Sequence, residues 1–396
     1  MISVDEAVAR IAAALSPVPP ETVPIADAIG RTLEADAVAR LDQPPHSVSA
    51  MDGYAVRAID VAQAPVTLDV IGAAPAGHPI RDRVGPGQTV RIFTGGVVPE
   101  GADTIVIQEN TDLGAAQVQI LRASEPGRHI RRAGLDFAKG DVLVRSGKQL
   151  TARDVALIAA GDVPELQVRK KPRILLAATG DELSKPGESR KPGGIVASSV
   201  YGLAGLIERW GGETRNLGIL PDRADAIAQI AERAVDADLI VTLGGASVGE
   251  HDLVQRALGP EGFVLDFWKI AMRPGKPLIF GRLGTTPLLG LPGNPVSSYV
   301  CALVFLKPAM AALLGISIVP ETFDVRLAAA LPENDRRQDY LRARIVRREG
   351  ELWAEPFPLQ DSSMQKVLAE ADALIVRAPH AAAANTGDMA FALPLE

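Results

Sequence analysis

Three short segments of this chain gather glycines, carboxylates and cations directly after apolar runs, the pattern of ligand-binding turns in open α/β sheets. The first is Ala178-Thr179-Gly180-Asp181-Glu182-Leu183. Gly180 permits a tight turn that exposes backbone N–H groups, and Glu182 can bind a cation or orient a ligand. A plain strand-to-loop turn with solvated acids is the alternative. The second runs from Thr242 through Gly244, Gly245, Ser247 and Gly249 to His251 and Asp252. A glycine-rich loop between an apolar strand and a helix suits phosphate capture by backbone amides and the helix dipole. Ser247 adds a hydroxyl. Asp252 can hold Mg²⁺, which takes one or two carboxylates plus water and phosphate oxygens, or it can cap its helix, or both. In the third, Lys269, Arg273 and Lys276 flank a Pro-Gly turn, and both residue types suit phosphate or oxyanion binding. An exposed basic turn is the competing reading. Gly290-Leu291-Pro292-Gly293-Asn294-Pro295 adds another anion-friendly corner before a helix.

Other chemistries are poorly served. No Ser/His/Asp triad or Cys/His metal set can be assembled, because the five histidines are scattered. The one cysteine, Cys301, lies in an apolar run and reads as a buried core thiol, so sulfur chemistry must come from a ligand. A net charge of −7 argues against a global nucleic-acid or acidic-membrane binder, while leaving room for a local cationic site. Two early acids and no basic leader argue against a signal peptide. No apolar stretch is expected to reach the roughly 18 residues of a membrane span. The cytoplasm is the expected location, with no nucleic-acid or membrane partner.

The elements that must position these residues follow from periodicity and punctuation. Residues 3–15 read as an amphipathic helix capped by Ser3, and Ser16 to Pro20 stops it. A helical start at Ile25–Gly30 and an extended piece at Leu33–Leu41 follow. Residues 46–130 carry short strands at 67–71, 89–93, 104–107 and 118–121, separated by Gly and Pro turns. A strand at 141–144 and a helix at 152–160, capped by Thr151, come next. From about 171 the pattern becomes α/β: strands at 174–178, 239–243, 277–280 and 287–291 alternate with helices at 199–210, 224–235, 252–258 and 294–314. That alternation implies a mainly parallel sheet covered on both faces. Beyond Pro320-Glu321 the chain returns to short strands at 323–327, 341–346, 352–356 and 373–377.

Together with Ser49-Ala50-Met51-Asp52-Gly53-Tyr54-Ala55-Val56 and Ile92-Phe93-Thr94-Gly95-Gly96, these segments resemble the molybdopterin molybdenumtransferase family, which includes a domain of gephyrin. Each motif is weak singly; six in order along nearly the whole chain are specific. The resemblance implies a multidomain α/β plus β protein. Its parts would be an N-terminal helix (1–16) packed with the central domain, an extended linker domain (17–45 and 131–170), and a β-rich domain (46–130). A central three-layer α/β molybdopterin-binding domain (171–319) and a C-terminal β-barrel-like domain (320–396) would complete it. It also implies a homodimer in which Asp52 and Thr94 of one subunit complete a site built by Glu182, Asp222, Asp252, Lys269, Arg273 and Lys276 of the other. Asp136 matches a further family acid. Ser198 falls in Ala197-Ser198-Ser199, where many relatives carry an Asp-hydroxyl-Asn triplet, and Leu243 stands where a hydroxyl is common.

The activity so implied is insertion of molybdate into adenylylated molybdopterin, giving molybdenum cofactor and AMP. Glu182, Asp222 and Asp252 would hold Mg²⁺. Gly180, Ser198, Gly244, Gly245, Ser247, Pro292, Gly293 and Asn294 would join the cations around the substrate. The implied partners are molybdopterin adenylyltransferase and the molybdoenzyme apoproteins or their chaperones. Two other readings stand beside this one: a non-catalytic pterin-binding scaffold, and a molybdopterin adenylyltransferase. Ser362, Ser363 and Gln365 in the tail either touch the pterin or form an exposed polar loop.

Overall fold

The computed structural model describes residues 1–244, 256–317 and 321–395. Its central unit is a six-stranded sheet in the order Glu213–Leu220, Arg173–Thr179, Leu239–Leu243, Thr286–Leu291, Ile279–Leu283, Phe263–Trp268. The first four strands are mutually parallel, and only Ile279–Leu283 opposes the common direction. The chain leaves Arg173–Thr179 toward one side, then returns to pair on its other side. The switch crevice therefore opens between the carboxyl ends of Arg173–Thr179 and Leu239–Leu243, where such sheets bind ligands.

Alternate residues of these buried strands feed two cores. Ile174, Leu176, Val241 and Leu289 face one side, where they meet the helices Ser199–Arg209 and Pro295–Leu314. Leu175, Ala177, Ile240 and Leu288 face the other, against Ala224–Arg233. Both faces being covered makes the sheet the middle of three layers. The N-terminal helix Val4–Ala13 belongs to the first side. Ser3 caps it by accepting from the Glu6 N–H at 3.1 Å, and Val4, Ala7 and Ile11 are buried in that core.

One sequence expectation is corrected here. The helix Pro295–Leu314 has 20 residues and a mean hydropathy of 1.7, enough by length and composition to cross a membrane. Pro and Lys307 break its apolar run in the sequence, but the helix is continuous. It is 72% buried within the chain, as the core helix of the central domain. A π-helical stretch, Ala302–Leu306, precedes Pro308. A widened turn there relieves the clash that a proline ring makes with the carbonyl four residues back.

Two further bodies precede the sheet in sequence. The strands Pro20–Pro24 and Glu165–Arg169 pair antiparallel, as do Ala37–Val38 and Val142–Val144, around a core of Leu33, Val144, Ile158 and Val168. The segment between them forms a five-stranded sheet in the order Thr104–Ile107, Gly53–Val56, Gln88–Ile92, Val66–Ala74, Gln117–Ile120, with its own two small cores. At the C-terminus, Gln338–Arg348, Glu351–Pro356, Phe323–Leu327, Met389–Pro394 and Ala373–Arg377 pair in sequence. The last returns to the first and closes a five-stranded barrel. The two-residue strand Met272–Arg273, from the central unit, adds parallel to its Gln338–Asp339 end.

Candidate active site

The carboxyl ends of four parallel or adjoining strands meet along one edge. The Gly180 N–H donates to the Leu220 carbonyl at 3.2 Å, and the Gly244 N–H to Leu291 at 3.2 Å. These bonds put Gly180, Asp222, Gly244 and the Pro292-Gly293-Asn294 corner side by side. The approach is close enough to require glycine. Gly244 has φ +88°, and a Cβ there would stand 2.6 Å from the Thr179 carbonyl oxygen. At Gly180 a Cβ would meet the Glu182 carboxylate at 2.7 Å, so that carboxylate lies directly over the turn. Asp181 and Asp222 exchange bonds: each backbone N–H donates to the other's carboxylate, at 3.4 and 3.3 Å. The Thr179 and Thr242 hydroxyls at this crevice are buried with no hydrogen-bond partner among the described residues. Such orphans cost free energy unless a ligand or water satisfies them.

The cationic turn lies at the same edge, because Trp268 and Ile279 are opposite each other in the sheet. Lys269 has φ +69°, and its ammonium sits 3.5 Å from the Trp268 ring centroid, a cation–π contact. The Ile270 N–H donates to the Lys276 carbonyl at 2.9 Å and closes the turn. Gly275, at φ +106°, packs on Cys301: a Cβ there would stand 2.4 Å from Sγ. Cys301 is fully buried, and burial pushes its thiol far above the ordinary range, so it is a packing group.

Arg273 turns to the C-terminal barrel. Its Nε donates to both Asp339 carboxylate oxygens, at 2.9 and 3.1 Å, and Nη2 donates to the same group. Nη2 also reaches Asn334 at 3.4 Å, and Asp335 lies 3.8 Å from Nη1. A guanidinium so engaged joins the central unit to the barrel. Sequence reasoning missed Asp339, since a lone acid in Gln338-Asp339-Tyr340 carries no signal until the chain is folded. The barrel reaches this edge twice more. Gln365 Nε2 donates to the Ser198 hydroxyl at 2.7 Å, and Asn294 Nδ2 to Ser362 at 3.2 Å. The Val296 N–H also donates to the Ser362 carbonyl. The polar run Gln360-Asp361-Ser362-Ser363 was the available sign of this contact.

Asp52 and Thr94 meet in the five-stranded body. Asp52 Oδ1 accepts from the Thr94 N–H at 2.7 Å and from its hydroxyl at 2.8 Å. These two bonds, helped by the Arg91 charge, hold the carboxyl below the ordinary aspartate range. Arg91 itself stacks between the Tyr54 and Phe93 rings, 4.9 and 5.1 Å from their centroids. Gly53 admits no side chain, since a Cβ would stand 2.0 Å from the Val106 oxygen. Asp136 is exposed, with its N–H donating to the Gln43 carbonyl. Gly245, Ser247, His251 and Asp252 lie outside the described residues. A concave space of 610 Å³ lined by Val8, Trp210 and Tyr340 holds none of the candidate residues.

Three family models match the chain in order. They are the MoeA N-terminal region (domain I and II) over residues 2–161, the probable molybdopterin binding domain over 176–312, and the MoeA C-terminal region (domain IV) over 324–395. A molybdopterin molybdenumtransferase of Nostoc sp. is 37% identical, over 81% of this chain and 76% of its own. The Haemophilus influenzae protein of the same name is 33% identical over 95% and 94%. The crystal structure of the molybdopterin biosynthesis MoeA protein from Pyrococcus horikosii superposes with a TM-score of 0.84. It is 28% identical and covers 100% of this chain and 99% of its own. With relatives above 30% identity along nearly its whole length, the chain belongs to the molybdopterin molybdenumtransferase family.

Proposed function

We propose that this protein is an enzyme that transfers molybdenum from molybdate into adenylylated molybdopterin, releasing molybdenum cofactor and AMP. The observation that carries the reading is the convergence at the switch crevice. Glycine-bearing strand ends, the Glu182 and Asp222 carboxylates, two buried threonine hydroxyls with no partner among the described residues, and a turn with two lysines share one edge. That edge offers amides and cations to the diphosphate and the oxyanion of the proposed reaction, and the relatives named molybdopterin molybdenumtransferase support the reading.

The donor chemistry suits Mg²⁺ in part. Glu182 and Asp222 carry carboxylate oxygens on adjoining loops and would serve as the hard donors Mg²⁺ needs. Among the described residues no group of three acidic, histidine or cysteine side chains forms a site. Substrate phosphates, and Asp252 from outside those residues, would complete the set. Bound there, Mg²⁺ would offset phosphate charge during P–O cleavage. Lys269 and Lys276 hold oxyanion charge, the glycine amides orient the anhydride, and the Thr179 and Thr242 hydroxyls take up ligand polar atoms. Ser198 and Asn294, already bonded to the barrel loop, fix the far wall. The two dithiolene sulfurs of the substrate give up their protons and replace two molybdate oxygens, which leave as water; one water cleaves the anhydride to release AMP, molybdenum stays in the +6 state, and no protein thiol takes part. Positioning and preorganised charge supply the rate enhancement.

The same reading gives a homodimer in which Asp52 and Thr94 of one subunit complete the site of the other. A molybdopterin adenylyltransferase would supply the substrate in the cytoplasm, and molybdoenzyme apoproteins or their chaperones would receive the product. The decisive assay is AMP release from adenylylated molybdopterin by purified protein with Mg²⁺, with and without molybdate. Molybdate-dependent release is expected. Tight pterin binding without release would replace the enzyme by a scaffold, and adenylylated pterin made from ATP would replace it by an adenylyltransferase.

A further inference from the structure

Lys276 is held by a turn whose middle is fastened to another domain. The turn closes on itself through the Ile270 N–H and Lys276 carbonyl, and Gly275 rests on Cys301. Its midpoint, Arg273, forks onto Asp339, whose side chain is only 6% exposed. The acceptors are arranged in advance. Asn334 Nδ2 donates to the carbonyls of Arg337, Arg377 and Ala378, at 2.8, 3.2 and 2.8 Å, which turns its Oδ1 toward Arg273. The Gln338 N–H donates to the Ala271 carbonyl at 2.8 Å, so backbone and side chain join the same two segments.

We infer that Asp339 is a positioning residue that acts through Arg273 to hold the Lys276 turn at the oxyanion corner. This rests on the proposed reaction for its functional consequence, but the tether itself is a property of the turn. A carboxylate that neutralises Arg273 removes it from the set of anion ligands and leaves the lysines to meet the oxyanion. The barrel thereby sets the spacing between that corner and Asn294, which it touches from its other loop.

The test uses the full chain with Asp339→Ala, Arg273→Ala and both together, plus Asp339→Asn to keep the shape without the charge. Two quantities are read: hydrogen exchange at the Ile270 amide, and the molybdate KM and kcat for AMP release. If the tether operates, each single variant speeds Ile270 exchange and raises the molybdate KM by about tenfold, with kcat changed less. The double variant then matches the singles, because one coupled unit has been lost. Asp339→Asn falls between. If Arg273 is itself an anion ligand restrained by Asp339, Asp339→Ala lowers the molybdate KM and only Arg273→Ala raises it; that result overturns the inference. So does unchanged Ile270 exchange in all variants. Absence of AMP release in the unaltered protein would sink the proposed reaction and leave the exchange measurement to decide the tether.

Discussion

At the residue scale, the Asp52–Thr94 pair makes the sharpest claim. A carboxylate that accepts two bonds from one threonine stays ionised below the pH at which an ordinary aspartate protonates. Thr94→Val removes the hydroxyl donor and keeps the backbone one. The Asp52 titration, followed by carboxyl NMR, is expected to move up toward the ordinary range and to stay somewhat below it. No movement would mean the hydroxyl bond is absent in solution. Residue chemistry of this kind was readable in the sequence, since Asp, Gly and Thr types in short motifs announce turns and donors. Partnership was not. Arg273 and Asp339 are 66 positions apart, and only the addition of Met272–Arg273 to the barrel brings them together. A free arginine and a tethered one look the same in sequence.

At the element scale, the helix Ala152–Ala160 and the strands Leu239–Leu243 and Phe323–Leu327 stand where pattern and punctuation put them. The strands Glu213–Leu220, Phe263–Trp268 and Met389–Pro394 were missed. The first two lie at sheet edges, and exposed or half-exposed positions fill most or all of each of the three, so no buried alternation marks them. The helix start at Thr151 allows a stability test. Thr151 and Asp154 form a reciprocal capping box, and Lys148 adds a 2.6 Å ion pair. Burial pushes Asp154 up, but Lys148 and Thr151 together outweigh it and hold the group at about 2. Its unfolded value is about 3.9, so its contribution is full above that pH and disappears as pH falls toward 2. Asp154→Asn should lower Tm near neutrality, and the gap should close in acid; a gap constant from pH 7 to pH 2 would refute the assignment. Thr151→Ala is expected to cost about 1 kcal/mol in denaturant unfolding. The ligand edge gives a matched pair. Gly244→Ala forces a side chain against the Thr179 carbonyl at φ +88°, a strain of roughly 1–3 kcal/mol. Among the described residues, a Cβ in Gly293→Ala meets only Gly244, its Cα at 3.5 Å and its N at 4.0 Å, both ordinary contacts. Equal loss of Tm in the two would show that the close approach at Gly244 is not there. Selective loss of pterin binding in Gly293→Ala would mark that corner as ligand-facing.

At the scale of the whole molecule, the candidate residues fall into two groups built on different bodies. Asp52 and Thr94 belong to a sheet with its own two cores, whereas Glu182 and Asp222 belong to the central edge. A reaction that needs both groups must bring them together, and a second copy of the chain can do so if the bodies of two subunits face each other. Complementation separates this arrangement from a site made within one chain. Asp52→Asn and Glu182→Gln are each expected to abolish most molybdate-dependent AMP release as homodimers. In a dimer carrying one of each, a shared site places both substitutions in one centre and leaves the other centre intact, so about half of the normal turnover returns. With sites made within single chains, every centre keeps one substitution and nothing returns. Differently tagged subunits, co-expressed and purified through both tags, supply the mixed dimer. The absence of recovery would assign Asp52 and Glu182 to the same chain's site, or remove one of them from the reaction. Recovery would make the dimer the smallest active unit, with each turnover depending on how two subunits hold the β-rich body of one against the sheet edge of the other.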